Sequence, residues 1–122
     1  MDAIDFSGAE HSGVIARILG FAQRPRCCEI TRRAMEDIVK LTLTKAAVLE
    51  AIQDHLSTRK PTYVQMQSCG LRAYILLPCV VDCYELYVKL QMPPGEELMV
   101  VVSVHDPEFE PRRKKTNVKR TE

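Results

Sequence analysis

The stretch from Tyr84 to His105 constrains this chain more than any other. It reads Tyr-Glu-Leu-Tyr-Val-Lys-Leu-Gln-Met, then Pro-Pro-Gly-Glu-Glu, then Leu-Met-Val-Val-Val-Ser-Val-His. Tyr84, Leu86, Val88, Leu90 and Met92 alternate with Glu85, Tyr87, Lys89 and Gln91. A period of two belongs to a strand with one buried face. Pro93-Pro94-Gly95 turns the chain, and the Val-rich run returns as the partner strand. Tyr87, Lys89 and Gln91 from one strand, with Ser103 and His105 from the other, then share the polar side of a hairpin. A phenol, an ammonium, an amide, a hydroxyl and an imidazole on one rigid surface suit an anionic ligand. The same residues also fit a solvated sheet face.

Upstream the period is helical. Val14, Ile15, Ile18, Leu19 and Phe21 form a stripe over His11–Ala22 that two glycines weaken. Gln23-Arg24-Pro25-Arg26 interrupts it. A second segment runs from Thr31 to Lys40 with Ala34, Met35, Ile38 and Val39 on one face. Thr44 is placed to cap a third helix, Lys45 to Leu56, carrying Ala47, Val48, Ala51, Ile52 and Leu56 at helical spacing. From Thr62 the period changes to two, with a strand at Tyr63–Gln67, a turn at Cys69-Gly70 and a second strand from Arg72 to Cys79. Helices first and strands afterwards predict an α+β domain, an antiparallel meander covered on one face by helices. The expected organisation is a helical segment over residues 1–27, the α+β domain over 28–107 and a basic tail over 108–122.

At 122 residues the chain suffices for one domain with its own core. No apolar run approaches the ~18 residues of a membrane span, and the acidic start Met-Asp-Ala-Ile-Asp-Phe does not read as a signal peptide, so a cytoplasmic location without a membrane partner is expected. The five cysteines, Cys27, Cys28, Cys69, Cys79 and Cys83, are odd in number and lack a Cys-x-x-Cys pair. They read as reduced thiols; apart from Cys79-x-x-x-Cys83 nothing has zinc-ligand spacing, and no metal or cofactor is expected. Charge is divided unevenly. Residues 1–110 hold eleven Lys and Arg against fifteen Asp and Glu, whereas the last twelve residues hold six basic side chains against Glu122 alone. Arg112, Arg113, Lys114 and Lys115 are therefore candidate phosphate contacts, or a solvated end that aids solubility.

Taking one parity from each strand collects Tyr63, Gln65, Gln67, Arg72, Tyr74, Tyr87, Lys89, Gln91, Ser103 and His105 on one face. The opposite parity collects Val64, Met66, Ala73, Ile75, Leu77, Leu86, Val88, Leu90, Val100, Val102 and Val104 as the expected core. Aromatic rings interleaved with cations suit single-stranded nucleic acid, because bases stack on rings while cations meet phosphates. No carboxylate pair, Gly-rich phosphate loop or nucleophile elbow competes with that reading.

Thr31-Arg32-Arg33-Ala34, the helical stretch after it, the extended segment near Tyr63, Glu85-Leu86-Tyr87-Val88-Lys89-Leu90 and Val100-Val101-Val102-Ser103-Val104-His105 together resemble the MqsR family of toxins, in the RelE-like group of small ribonucleases. The resemblance covers roughly residues 28–106. It implies N-terminal helices packed on a four-stranded antiparallel sheet whose face cleaves messenger RNA, free or on the ribosome, without metal. It also implies a cognate antitoxin as protein partner. The family's catalytic set is two lysines, a glutamine and a tyrosine. The tyrosine matches Tyr87, and Ser103-Val104-His105 stands where the family has Ser-Phe-Lys, so His105 replaces a lysine. The other lysine falls around Tyr63 to Gln65, which lacks one, and the glutamine falls near Arg72 to Tyr74.

The expected chemistry is attack of a ribose 2′-OH on the adjacent phosphorus, which needs a base, a cation for the phosphorane and an acid for the leaving oxygen. Histidine changes protonation in the useful range. His105, Lys89, Tyr87 and Arg72 are the candidate catalytic residues. Tyr63, Gln65, Tyr74, Gln91, Ser103 and Arg112–Lys115 are the candidate RNA contacts. The alternative is a module that binds RNA or protein on the same face without cutting.

Overall fold

A computed structural model of the protein describes residues 2–6 and 8–107. Thr31 and Thr44 start two of its helices by the same device. The Thr31 hydroxyl accepts from the Ala34 amide at 3.2 Å, and the Thr44 hydroxyl accepts from the Ala47 amide at 3.1 Å. Each satisfies an amide that the first turn leaves without a partner. The helices they cap are α2 (Arg32–Lys40) and α3 (Lys45–Ser57), and α1 (Ala9–Ala22) precedes both. Six strands lie among the described residues: β1 (Asp2–Ala3), β2 (Cys28–Ile30), β3 (Thr62–Met66), β4 (Arg72–Val81), β5 (Tyr84–Gln91) and β6 (Met99–His105).

The chain is thus α+β, but the sheet is neither four-stranded nor wholly antiparallel. Its order is β1-β3-β4-β5-β6-β2. The four strands expected from the sequence pair consecutively and antiparallel in its centre. β1 adds antiparallel to β3, and β2 adds parallel to β6, with Cys28 opposite Met99 and Ile30 opposite Val101. The three-residue β2 is too short to show a period, and its partner lies far along the chain. A second tie fixes that junction: the Thr31 hydroxyl also donates to the Val102 carbonyl at 3.1 Å, joining the start of α2 to β6.

The three helices lie on one face of the sheet. Ile15, Ile18 and Phe21 of α1, Ala34 and Ile38 of α2, and Val48, Ile52 and Leu56 of α3 share a core with Tyr74 and Leu76 of β4, Leu86, Val88 and Leu90 of β5, and Met99, Val101 and Val104 of β6. The Gln53 amide donates to the Ala22 carbonyl at 3.1 Å, tying α3 to the end of α1. Ile4, Ile15, Ile18, Phe21 and Ala22, all within the expected helical segment, therefore share one core with the strands.

Two bulges set which side chains reach that core. The β4–β5 register shifts between Leu76 and Cys79, and the β5–β6 register shifts between Lys89 and Leu90. An extra residue on one strand exchanges inside for outside beyond it. In β6 this buries Met99, Val101 and Val104 fully and leaves Val100 and Val102 only half-buried. The expectation that Val100 and Val102 belong to the core is thus corrected. Met66, also expected inside, is 63% exposed where β3 ends.

Among the described residues, no helix is long and apolar enough to cross a membrane.

Candidate functional site

The site is built on the sheet face opposite the helices. β5 places Tyr87, Lys89 and Gln91 there, because Leu86, Val88 and Leu90 alternate into the core. Pairing then fixes their neighbours. Tyr63, Ile75, Lys89 and Ser103 form one row across four strands; Gln65, Ala73, Gln91 and Val100 form the next. Glu29 of β2 continues the second row beside Val100. On the other side of Lys89, Tyr87 stands opposite His105. Their rings stack, with centroids 4.6 Å apart and planes 13° from parallel.

The imidazole of His105 is oriented at its other edge. Nδ1 lies 3.0 Å from the Asp106 carbonyl oxygen. A carbonyl can only accept, so Nδ1 carries the hydrogen of that bond, and in the neutral ring Nε2 presents a lone pair. Lys89 lies two residues from Tyr87 along β5, roughly 6.7 Å at the usual strand rise. An imidazole of fixed tautomer, a phenol, an ammonium and the Ser103 hydroxyl thus occupy adjacent positions on one rigid surface.

Not every expected residue is on it. Tyr63, Gln65, Tyr87, Lys89, Gln91, Ser103 and His105 share the open face. Gln67 lies just past β3, and its amide donates to the Gln65 side chain at 3.0 Å. Tyr74 and Arg72 are corrected. Tyr74 is opposite Val64 and Leu90, 6% exposed, and part of the core under the helices. Arg72, two residues away, has the same parity and stands opposite Met66, away from Lys89 and His105. The residues that occupy the open face of β4 instead are Ala73 and Ile75, both buried within the sheet surface. Arg112, Arg113, Lys114 and Lys115 lie outside the described residues.

Sequence reasoning also missed a cavity next to His105. It has a volume of about 450 Å³ and lies between the end of α2, the β4–β5 turn and the end of β6. Tyr84 and Leu86 line one side, Asp37 and Leu41 another, and His105 contributes to its wall. Tyr84, which has the parity of Leu86 in the sequence, is 37% exposed there.

The cysteines take no part in the face. Burial pushes the Cys79 thiol up to about 12, and burial also raises Cys28, whose Sγ donates to the Phe21 carbonyl at 2.9 Å. Among the described residues, no three of His, Cys, Asp and Glu gather as a group that could hold a metal ion. The chain matches no protein-family model, no curated protein and no solved structure. Its chemistry is therefore read from its own side chains.

Proposed function

We propose that the open sheet face binds single-stranded RNA and cleaves it by metal-independent attack of a ribose 2′-OH. The observation that supports this best is the pair of Tyr87 and His105, stacked at 4.6 Å, with His105 held by Asp106 in the tautomer that offers Nε2 as a base. In the proposed reaction Nε2 takes the proton of the 2′-OH, whose oxygen attacks phosphorus. The 5′ oxygen leaves and is protonated by the resulting imidazolium or by the Tyr87 phenol. Lys89 balances the charge on the phosphorane oxygens. The products are a 2′,3′-cyclic phosphate and a free 5′-hydroxyl. Tyr63, Gln65, Gln91 and Ser103 hold the flanking nucleotides, by stacking and by hydrogen bonds.

The resemblance of Glu85–Leu90 and Val100–His105 to the MqsR family extends the proposal to biology, as the toxin of a toxin–antitoxin pair acting on messenger RNA, with a cognate antitoxin as partner. One observation favours a second reading. With Arg72 on the opposite parity, Lys89 is the sole fixed cation in the paired rows of the open face among the described residues. A face so sparse in cations suits binding of RNA or protein without cleavage.

Purified protein incubated with a short single-stranded RNA separates the two. Cleavage that yields a 2′,3′-cyclic phosphate, resists chelator, and stops when the 2′-hydroxyl at the cut position is removed supports the nuclease. RNA that is bound and left intact, with ribosomes or without, overturns it and leaves the binding module. Growth arrest on expression, relieved by a neighbouring gene product, tests the toxin role.

A further inference from the structure

We infer that the cavity beside His105 receives one nucleobase of the bound RNA, a base bearing an amino group in preference to uracil, and that Asp37 reads that amino group. The inference rests on the RNA reading of the open face and adds a specificity pocket to it. Its volume of about 450 Å³ falls within the range of small-molecule sites, roughly 300–1,000 Å³. His105 closes β6, stacks on Tyr87 at the proposed point of cleavage and is also part of the cavity wall. RNA on the open face would therefore pass a base round this strand end into the cavity on the helix side.

The lining then selects what enters. Leu41 and Leu86 supply apolar walls, and the exposed Tyr84 ring supplies a flat surface on which a base can stack. The charged groups at the rim are Asp37, Glu85 and Asp106 against Lys40 alone. An excess of carboxylates disfavours a phosphate in the pocket and favours a neutral group that donates hydrogen bonds. The amino groups of adenine, cytosine and guanine do this, whereas uracil presents mainly carbonyl acceptors. Asp37 is the half-buried carboxylate among the three that projects from a helix. Its ion pair with the exposed Arg33 uses Oδ2 at 4.0 Å, which leaves Oδ1 for a base.

Two measurements on the full chain test this. In the first, cytidine and uridine are titrated separately while the methyl resonances of Leu41 and Leu86 are followed. Cytidine is expected to shift both, and uridine to bind at least about tenfold more weakly, the discrimination of one hydrogen bond to a charged group. In the second, oligoribonucleotides differing only in the base next to the cut are compared. Wild type is expected to favour the amino-bearing base by about tenfold or more in kcat/KM, and Asp37→Asn to reduce that ratio below about threefold. Tyr84→Leu, at the exposed turn, is expected to raise KM for all substrates about tenfold, with Tyr84→Phe restoring it. Equal responses to the two nucleosides, no response at these methyls, or an unchanged base preference in Asp37→Asn overturns the inference. RNA that is cut while the methyls stay still removes the base pocket alone. RNA left uncut while cytidine shifts the methyls removes the nuclease and supports the base site.

Discussion

β4 and β5 lie side by side in the middle of the sheet, yet only one of them announces its faces. From Leu86 onward β5 alternates buried and half-buried residues without a break, because its outward side chains are Tyr87, Lys89 and Gln91. β4 is buried at four successive positions, Ala73 to Leu76, apolar on both faces. A strand with a wet side carries its orientation in the alternation of its side chains. A strand enclosed on both sides does not, and a single tyrosine hydroxyl is a poor guide to which way it points.

The sharpest test of that contrast is a pair of truncations. Tyr74→Ala removes a ring from the core and should cost roughly 3–5 kcal/mol in chemical denaturation, while Gln91→Ala on the open face should stay within about 0.5 kcal/mol. A mild Tyr74→Ala would place that ring on the open face after all. Cleavage gives the next comparison. Lys89→Ala should lower the rate by ~10²-fold, and Arg72→Ala, on the other parity, should leave it within about threefold. Equal losses would mean that both cations reach the substrate.

The bulge in β6 predicts a smaller difference. Val101→Ala should cost ~1–3 kcal/mol and Val102→Ala less than about 1 kcal/mol, read as the difference in denaturation midpoint at constant slope.

The smallest effect is one of pH. His55 is 1% exposed, and its Nε2 lies 2.8 Å from the Pro61 carbonyl. Nδ1 is buried and makes no hydrogen bond of good geometry among the described residues. Burial depresses its pKa, outweighing the carbonyls of Pro61 and Pro78, which favour the protonated ring. The unfolded chain therefore binds the proton more readily. Stability is full above the unfolded value of about 6.5 and falls as pH drops below it toward the depressed folded value. Melting temperatures measured from pH 7.5 to 5 should decline in wild type and flatten in His55→Gln. Parallel profiles would assign the decline to other groups.

These contrasts also define what could be read from the sequence. The helices were legible because Thr31 and Thr44 are strong caps and the stripes behind them are regular. The hairpin of β5 and β6 was legible in place but not in register beyond Lys89, since a bulge leaves no mark in a run of valines. β2 was invisible at three residues. Of the open face, the positions of Tyr87, Lys89 and Gln91 on the alternating strand and of Ser103 and His105 at the end of β6 are legible in the sequence. Arg72 and Tyr74 were assigned by the parity of a strand that shows none. The cavity escaped because its walls come from a helix end, a turn and a strand end that only the fold assembles.

Thr31 and Val102, joined by a hydrogen bond at the β2–β6 junction, stand 71 residues apart. During synthesis, α1, β2, α2 and α3 all precede the four strands of the central meander, and β2 waits longest for its neighbour. Such distant pairing makes completion of the sheet a late event. His105 closes the last strand, so Tyr87 gains its stacking partner only when nearly all of the described chain has been made. A half-translated chain therefore has no assembled open face. On the reading proposed for that face, a chain that stops short of His105 lacks the paired rings on which cleavage would depend.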